Sequence, residues 1–246
     1  MNGRTFVILF ATLLLTPGCG TRGALIIIED TTLTRNHFGN IVIGTDNITL
    51  DCDGHYIFGS GSGAGITLVG RSEVMVENCD IINFTDGFFL QDSDNNVFRQ
   101  NLVEHNADEG FDIQSSNDNI FNQNRVTENI RDGFDLEYSN GNLFIENEVL
   151  QNGRNGIELD YCNENVFETN IASDNQQNGI SLDYSERNVF ETNMANNNAR
   201  GFQIESSNNT FSENHACKNS IVDARQRGSA SNTFIANVFC VMENIP

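Results

Sequence analysis

Asparagine recurs in this chain at a spacing that leaves few folds open. The Asn before each apolar pair falls at Asn96, Asn119, Asn142, Asn165, Asn188, Asn209 and Asn232, in steps of 23, 23, 23, 23, 21 and 23 residues. Five residues later a second column runs through Asn101, Asn124, Asn147, Asn170, Asn193, Asn214 and Asn237. Five further on, a third holds Asn106, Asn129, Asn152, Asn175, Asn198 and Asn219. Glycine forms a column from Gly65 and Gly87 to Gly179 and Gly201, and serine one that includes Ser93, Ser116, Ser139, Ser185, Ser206 and Ser229. Between the columns apolar residues alternate with period two, as at Phe134 and Leu136, so each repeat is a set of short strands separated by bends.

A coil of about 23 residues cannot bury its apolar face alone, but stacked on its neighbours it encloses a continuous core and gives every strand parallel partners above and below. The expected fold is therefore all-β: a single-domain parallel β-helix over residues 24–246, of about nine coils, with no linker or second domain. The Asn columns have two structural readings, tolerance of a left-handed backbone and stacking of amides along the axis. Glycine serves a tight bend or a close backbone approach. NITLDCDGHYIFGSGSG and EVMVENCDIINF extend the coils toward the N-terminus with a longer, 26-residue step, which makes GSGSG a loop bulging from a bend. Residues 221–228 break the glycine column and are expected to loop out or to cap the stack.

The first 19 residues carry Arg4 and an apolar run from Phe6 to Leu15, the layout of a secretory signal and too short a run for a membrane span. Cys19 sits where a lipoprotein signal places its lipidated cysteine, although Thr16 and Pro17 match the preceding box poorly. Lipid anchor and plain cleavage both stay open, and an anchor at Cys19 would be the chain's one link to a membrane. Either way an extracytoplasmic location follows.

Six cysteines in an exported chain call for disulfides. Cys217 and Cys240 each lie three residues after a column Asn, one coil apart, and strands about 4.8 Å apart suit a disulfide. Cys52 and Cys79 form a second pair on adjacent coils. Cys162 replaces serine in its column and reads as an inert small residue.

The net charge of -21 repels phosphate backbones and excludes nucleic acid as a partner. Part of that charge is ordered. If Phe134 and Leu136 point inward, Asp112, Asp135 and Glu158 project outward in one column and Glu137, Asp160, Asp183 and Glu205 in the next. Neighbouring carboxylates at that spacing repel by about 1 kcal/mol in water and by about 3.5 at an effective dielectric near 20. Arg131 and Arg154, at the preceding bend, are placed to offset this, and a hard cation such as Ca²⁺ is a second remedy, although no contiguous calcium-loop motif is present and no metal site is assigned. Tyr138, Tyr161 and Tyr184 make a further column beside the acids. It reads either as a sugar platform or as rings that stabilise neighbouring coils.

The run DTTLTRNHFGNIVIGTDNITLDCDGHYIFGSGSGAGITL, followed by repeats of the form GFxLxxSxxNxFxxN, resembles right-handed parallel β-helix proteins of the NosD-like and carbohydrate-binding group. The resemblance implies a right-handed coil, an extracytoplasmic location and kinship with proteins that bind or process polysaccharides. It also implies copper delivery, as in the nitrous-oxide-reductase accessory members. Copper prefers clustered His, Met or Cys, whereas His37, His55, His105 and His215 share no column. The Asp-Pro-His signature of mannuronan epimerases is missing at EGFDIQ, which keeps Asp112 alone, and the Gly-His-Gly of polygalacturonases is absent.

The reading that results is an exported β-helix that binds polysaccharide through Asp112, Asp135, Glu137, Tyr138, Glu158, Asp160, Tyr161, Asp183 and Tyr184, with no cofactor required. A lyase or epimerase on the same face would take Tyr138 or Tyr161 as base and Arg131 or Arg154 to neutralise the sugar carboxylate, with His105 as an outlying alternative. A hydrolase would take a carboxylate pair, but the ladders offer many equivalent pairs. An active site should break the repeat and these acids obey it, which favours binding over catalysis. A structural or copper-accessory scaffold is the third reading.

Overall fold

The computed structural model describes residues 24–227 and 231–245. The secretory segment, Cys19 and Ser229 lie outside them. Each coil contributes one strand to each of three parallel sheets. Among the described residues the first sheet has eleven strands and the second ten; the third has seven, continued through bridges at Met194 into a two-stranded piece. One coil runs Phe134–Glu137, Leu143–Ile145 and Glu148–Leu150, and pairs in register with the next at Phe134↔Ile157, Phe144↔Phe167 and Val149↔Ala172. The parallel β-solenoid inferred from the repeat is the fold that forms, and among the described residues no helix is long and apolar enough to cross a membrane.

The core is a pair of aromatic stacks. Phe98, Phe121, Phe144 and Phe167 lie face to face at centroid spacings of 5.1, 4.6 and 4.6 Å, and Phe88, Phe111 and Phe134 at 4.4 and 4.6 Å. The stacks meet edge to face, as between Phe134 and Phe144. All of these rings are fully buried, so the core is both apolar and geometrically specified.

The bends divide two jobs between neighbouring residues. Among the described residues none of the column asparagines has a positive φ; that conformation belongs to the residue before nearly every one, such as Gln100, Gln123 and Glu146 at φ 55°, 55° and 53°. The left-handed explanation of the Asn columns is thus corrected, because the preceding residue makes the bend with its side chain outside and the Asn then points in. Its amide does the second job. The N–H and Nδ2 of Asn119 donate to Oδ1 of Asn142 at 2.9 and 3.1 Å, while Nδ2 of Asn142 donates to the Ser116 carbonyl at 3.0 Å. Each buried Asn thereby satisfies backbone groups that a bend leaves without ladder partners.

Glycine serves the close approach. A Cβ on Gly133 would lie 2.2 Å from Cγ1 of Val149 and 2.6 Å from the Gly156 carbonyl. Residues 221–228 were expected to loop out or cap, yet Val222–Gln226 stays in the first sheet, with Val222 opposite Arg200. Asp223 takes the place of the glycine. Its Oδ1 accepts the N–H and Nδ2 of Asn219, and its Oδ2 the N–H of Val241, so a carboxylate ends the third Asn column. Cys52–Cys79 and Cys217–Cys240 are both disulfide-bonded, at Cα separations of 4.7 and 5.1 Å. Cys162 is free, buried and pushed up to about 12 by desolvation, the state of an inert thiol.

Asn142→Ala should destabilise the fold by at least about 3 kcal/mol in urea unfolding, because it strands two donors and one carbonyl in the interior. Gly133→Ala should cost about 1–3 kcal/mol through overpacking. Glu146→Gly, at a left-handed position, should stay within about 1 kcal/mol of the parent.

Candidate functional site

The first sheet presents its outward residues as two registered rows. Asp112, Asp135 and Glu158 are paired Cα to Cα, with Phe89 before them and Ser181 after. Glu137, Asp160, Asp183 and Glu205 form the second row, preceded by Gln114. The first row is half-buried. Gln114 donates Nε2 to both oxygens of Asp112 at 3.1 and 3.2 Å, and Asn155 donates Nδ2 to Glu158 at 2.7 Å.

Beside the second row the three tyrosines stack at 5.1 and 4.9 Å with nearly parallel rings. They are 53%, 45% and 68% exposed and carry φ near 50°, a position that Asp92 and Ser115 occupy in earlier coils. The 21-residue step that follows Tyr184 removes this position, which ends the row. Tyr161 is held above the usual phenol range by partial desolvation and then by its two tyrosine neighbours, which works against its use as a base.

The arginines go elsewhere than expected. Arg131 lies 3.0 Å from both Asp108 and Glu109, and Arg154 is 3.7 Å from Asp132, so both pair with acids of the bend and neither forms an ion pair with the outward row. His105 is on the third sheet's side, with Nε2 2.9 Å from Glu128, and does not join the first-sheet face. Sequence reasoning missed the bend acids Asp86, Glu109 and Asp132. They occupy the position just before each glycine, where Asn155 and Asn178 follow them, and an acidic run in that column was the signal available.

The result is two flanking files of carboxylates, one in the bend and one on the strand. Glu109 and Asp132 are almost fully buried. Burial, then Asp108 and Asp135, push Glu109 well above the carboxylate range in spite of Arg131. Burial followed by Asp132 and Glu158 pushes Asp135 up to about 7; burial and then Asp132 push Glu158 to about 7. Asp112 reaches about 6, burial being offset in part by the Gln114 amide. The face is therefore partly protonated at neutral pH and suited to trade protons there.

A carboxyl raised in the native state favours folding while protonated, so stability is fully present below about pH 4 and is lost as pH rises through about 7. In metal-free buffer, thermal unfolding should show Tm falling between about pH 5 and 8. Asp135→Asn should recover on the order of 2 kcal/mol at about pH 8 and little at about pH 4, since a tenfold change in proton affinity is worth about 1.4 kcal/mol and neighbouring acids titrate together.

A family model described as periplasmic copper-binding protein (NosD) matches residues 110–245, and one described as right handed beta helix region matches residues 16–142. No curated protein matches by sequence. Among solved structures, the periplasmic alginate epimerase AlgG superposes with TM-score 0.67 at 17% identity, over 80% of this chain and 51% of the epimerase. This chain thus spans about half the length of that protein. The alginate lyase from Paenibacillus sp. str. FPU-7 gives 0.60 at 12% identity, over 89% of this chain and 90% of the lyase. The pectate lyase Pel9A gives 0.55 at 15%, over 87% and 69%. At such identities these likenesses establish the fold.

The copper in the family description finds a poor donor set here. Among the described residues Met194 and His215 are bridge neighbours on the third sheet, but Nδ1 of His215 is 3.2 Å from Asn196, and one such Met–His pair falls short of the three or four soft donors of a copper centre. His105 pairs with Glu128, and four of the cysteines are in disulfides. What the matches do establish is descent and architecture: this chain belongs to the NosD family of right-handed β-helix proteins.

Proposed function

We propose that the chain is an extracytoplasmic polysaccharide-binding protein whose binding face is the first sheet. The observation that carries this is the exposed, parallel stack of Tyr138, Tyr161 and Tyr184 running alongside two rows of carboxylates. Sugars have apolar faces that lie on aromatic rings and hydroxyls that donate to carboxylates, and this face supplies both in a line along the axis. Two disulfides support a location outside the cytoplasm. Nucleic acid is excluded by the charge of -21. Membrane attachment would come only through a lipid on Cys19.

A second reading, lyase or epimerase action on an acidic polysaccharide, is favoured by one observation. Asp135 and Glu158, at about 7, sit where a general acid or base works best at neutral pH. In that reading they move the proton beside the sugar carboxylate, a role sequence reasoning gave to Tyr138 or Tyr161, while Arg131 and Arg154 stay with the bend acids.

Incubation with a panel of uronate and neutral glycans separates the readings. Retention of glycan without new unsaturated ends, new reducing ends or an altered uronate ratio is the expected result, and any of those products replaces binding with catalysis. Tyr161→Ala should weaken retention at least about tenfold, the loss of roughly 1.4 kcal/mol of ring contact, with the melting curve little changed. Uronate glycans should be held more weakly at about pH 8 than at about pH 5, as the acid rows ionise.

A further inference from the structure

The two files of carboxylates meet at one point on the bend. Glu109, Asp132 and Asp135 each offer a carboxylate oxygen, all within 4.8 Å of one another. Two of the three are almost out of solvent, Glu109 at 5% and Asp132 at 0% exposure. A neighbouring group, Asp86, Asp108 and Glu109, shares Glu109 with this one, and Arg131 lies 3.0 Å from both Asp108 and Glu109, so the chain's own cation serves the Asp108 side and reaches the first group only through Glu109. Among the described residues no guanidinium hydrogen-bonds to Asp132 or Asp135.

Asp132 adds an independent observation. Its Oδ1 accepts the N–H of Asn155 at 2.7 Å. Its Oδ2 is buried and makes no hydrogen bond, with the nearest cation, Arg154, at 3.7 Å. A fully buried carboxylate oxygen left without a donor is destabilising unless a charge completes it. Asn155 and Asn178, the next two residues of this column, bond to one another and leave only a neutral amide oxygen, Oδ1 of Asn178, buried without a donor, whereas at Asp132 the unmet atom belongs to a carboxylate.

From these features we infer that Glu109, Asp132 and Asp135 hold a hard divalent cation, and that the ion is Ca²⁺. The donors are oxygen alone, with neither imidazole nor sulfur among them, which selects against copper and zinc. Mg²⁺ is usually held by one or two carboxylates and keeps most of its water, whereas Ca²⁺ takes several carboxylates in a flexible shell, so a set of three carboxylates favours the larger ion. Three carboxylates leave further coordination positions to water or to backbone carbonyls of the bend, as Ca²⁺ accepts. The ion would bridge the strand and the bend and offset repulsion between two acid files. The site shares Asp135 with the outward row of the glycan reading, but it is carried by Glu109 and Asp132, which that reading does not use.

The test uses the full chain, stripped with chelator and titrated calorimetrically with Ca²⁺ alone at about pH 8, where Asp135 is ionised and the ion need only displace protons from the bend acids. A single saturable site with Kd below about 1 mM is expected, with Mg²⁺ at least about tenfold weaker. At about ten times Kd the melting temperature should rise by about 3–6 °C. Asp132→Asn keeps the acceptor for the Asn155 N–H and should weaken Ca²⁺ at least about tenfold; Asp183→Asn, in the outward row, should leave it unchanged. Heat without saturation up to about 10 mM, or equal losses in the two variants, overturns the inference in favour of a diffuse counterion cloud. Should Asp132→Asn fail to fold, Glu109→Gln takes its place, and crystals grown in Ca²⁺ decide directly, since density for the ion anywhere other than between these three carboxylates refutes the assignment.

Discussion

The interaction on which everything else depends is the amide of a buried asparagine bonded to the backbone of the coil before it. A solenoid coil must turn three times in about 23 residues, and each turn leaves N–H and C=O groups facing inward with no strand partner. An unmet group there costs about 1–3 kcal/mol, and there are several per coil. The Asn columns meet this need at nearly every bend, each amide accepting two hydrogens from the preceding coil and giving one back to a carbonyl of that coil. Only when the bends are satisfied can the phenylalanine stacks close over one another, and only then does the first sheet lie in the register that aligns its acids. The site is thus a by-product of periodicity: what repeats inside for stability also repeats outside.

That dependence explains which parts were legible in sequence. The solenoid, its parallel register, both disulfides and the alignment of Asp112, Asp135 and Glu158 all follow from position within the repeat, and position can be read from spacing. Two kinds of fact escape spacing. One is which of two adjacent residues takes the strained backbone: Gln100 and Asn101 are both compatible with a left-handed bend, and the choice falls on Gln100 because Asn101 is needed indoors. The other is the partner of a long side chain. Arg131 can reach either acid file from its bend, and it goes to the one with buried Glu109, where its charge is screened least. Asp223 shows the same limit from another side, since a break in a column reads as a loop until its carboxylate is found closing the Asn column.

Burial also changes what the acids are. On a flat, solvated ladder they would be ordinary carboxylates and the net charge would serve solubility alone. Half-sunk between a bend file and a tyrosine row, Asp135 and Glu158 are moved to about 7 and become groups that respond to their surroundings. A protein with this fold can therefore carry a titrating face without any residue that looks catalytic in sequence. The acids keep to the repeat, and the environment makes them differ.

The left-handed position before each bend has a broader meaning. The backbone requires a bend there but asks nothing of the side chain, which points to solvent; along the chain that position is held by Gln, Glu, Thr, His, Lys, Ala, Asp, Ser and Tyr. It is a socket into which the chain can plug different chemistry coil by coil without disturbing the core. Asp92, Ser115, Tyr138, Tyr161 and Tyr184 are five successive fillings of one such socket. Specificity in a scaffold of this kind can drift one rung at a time, the architecture acting as a fixed rail and the ligand surface as a row of exchangeable teeth.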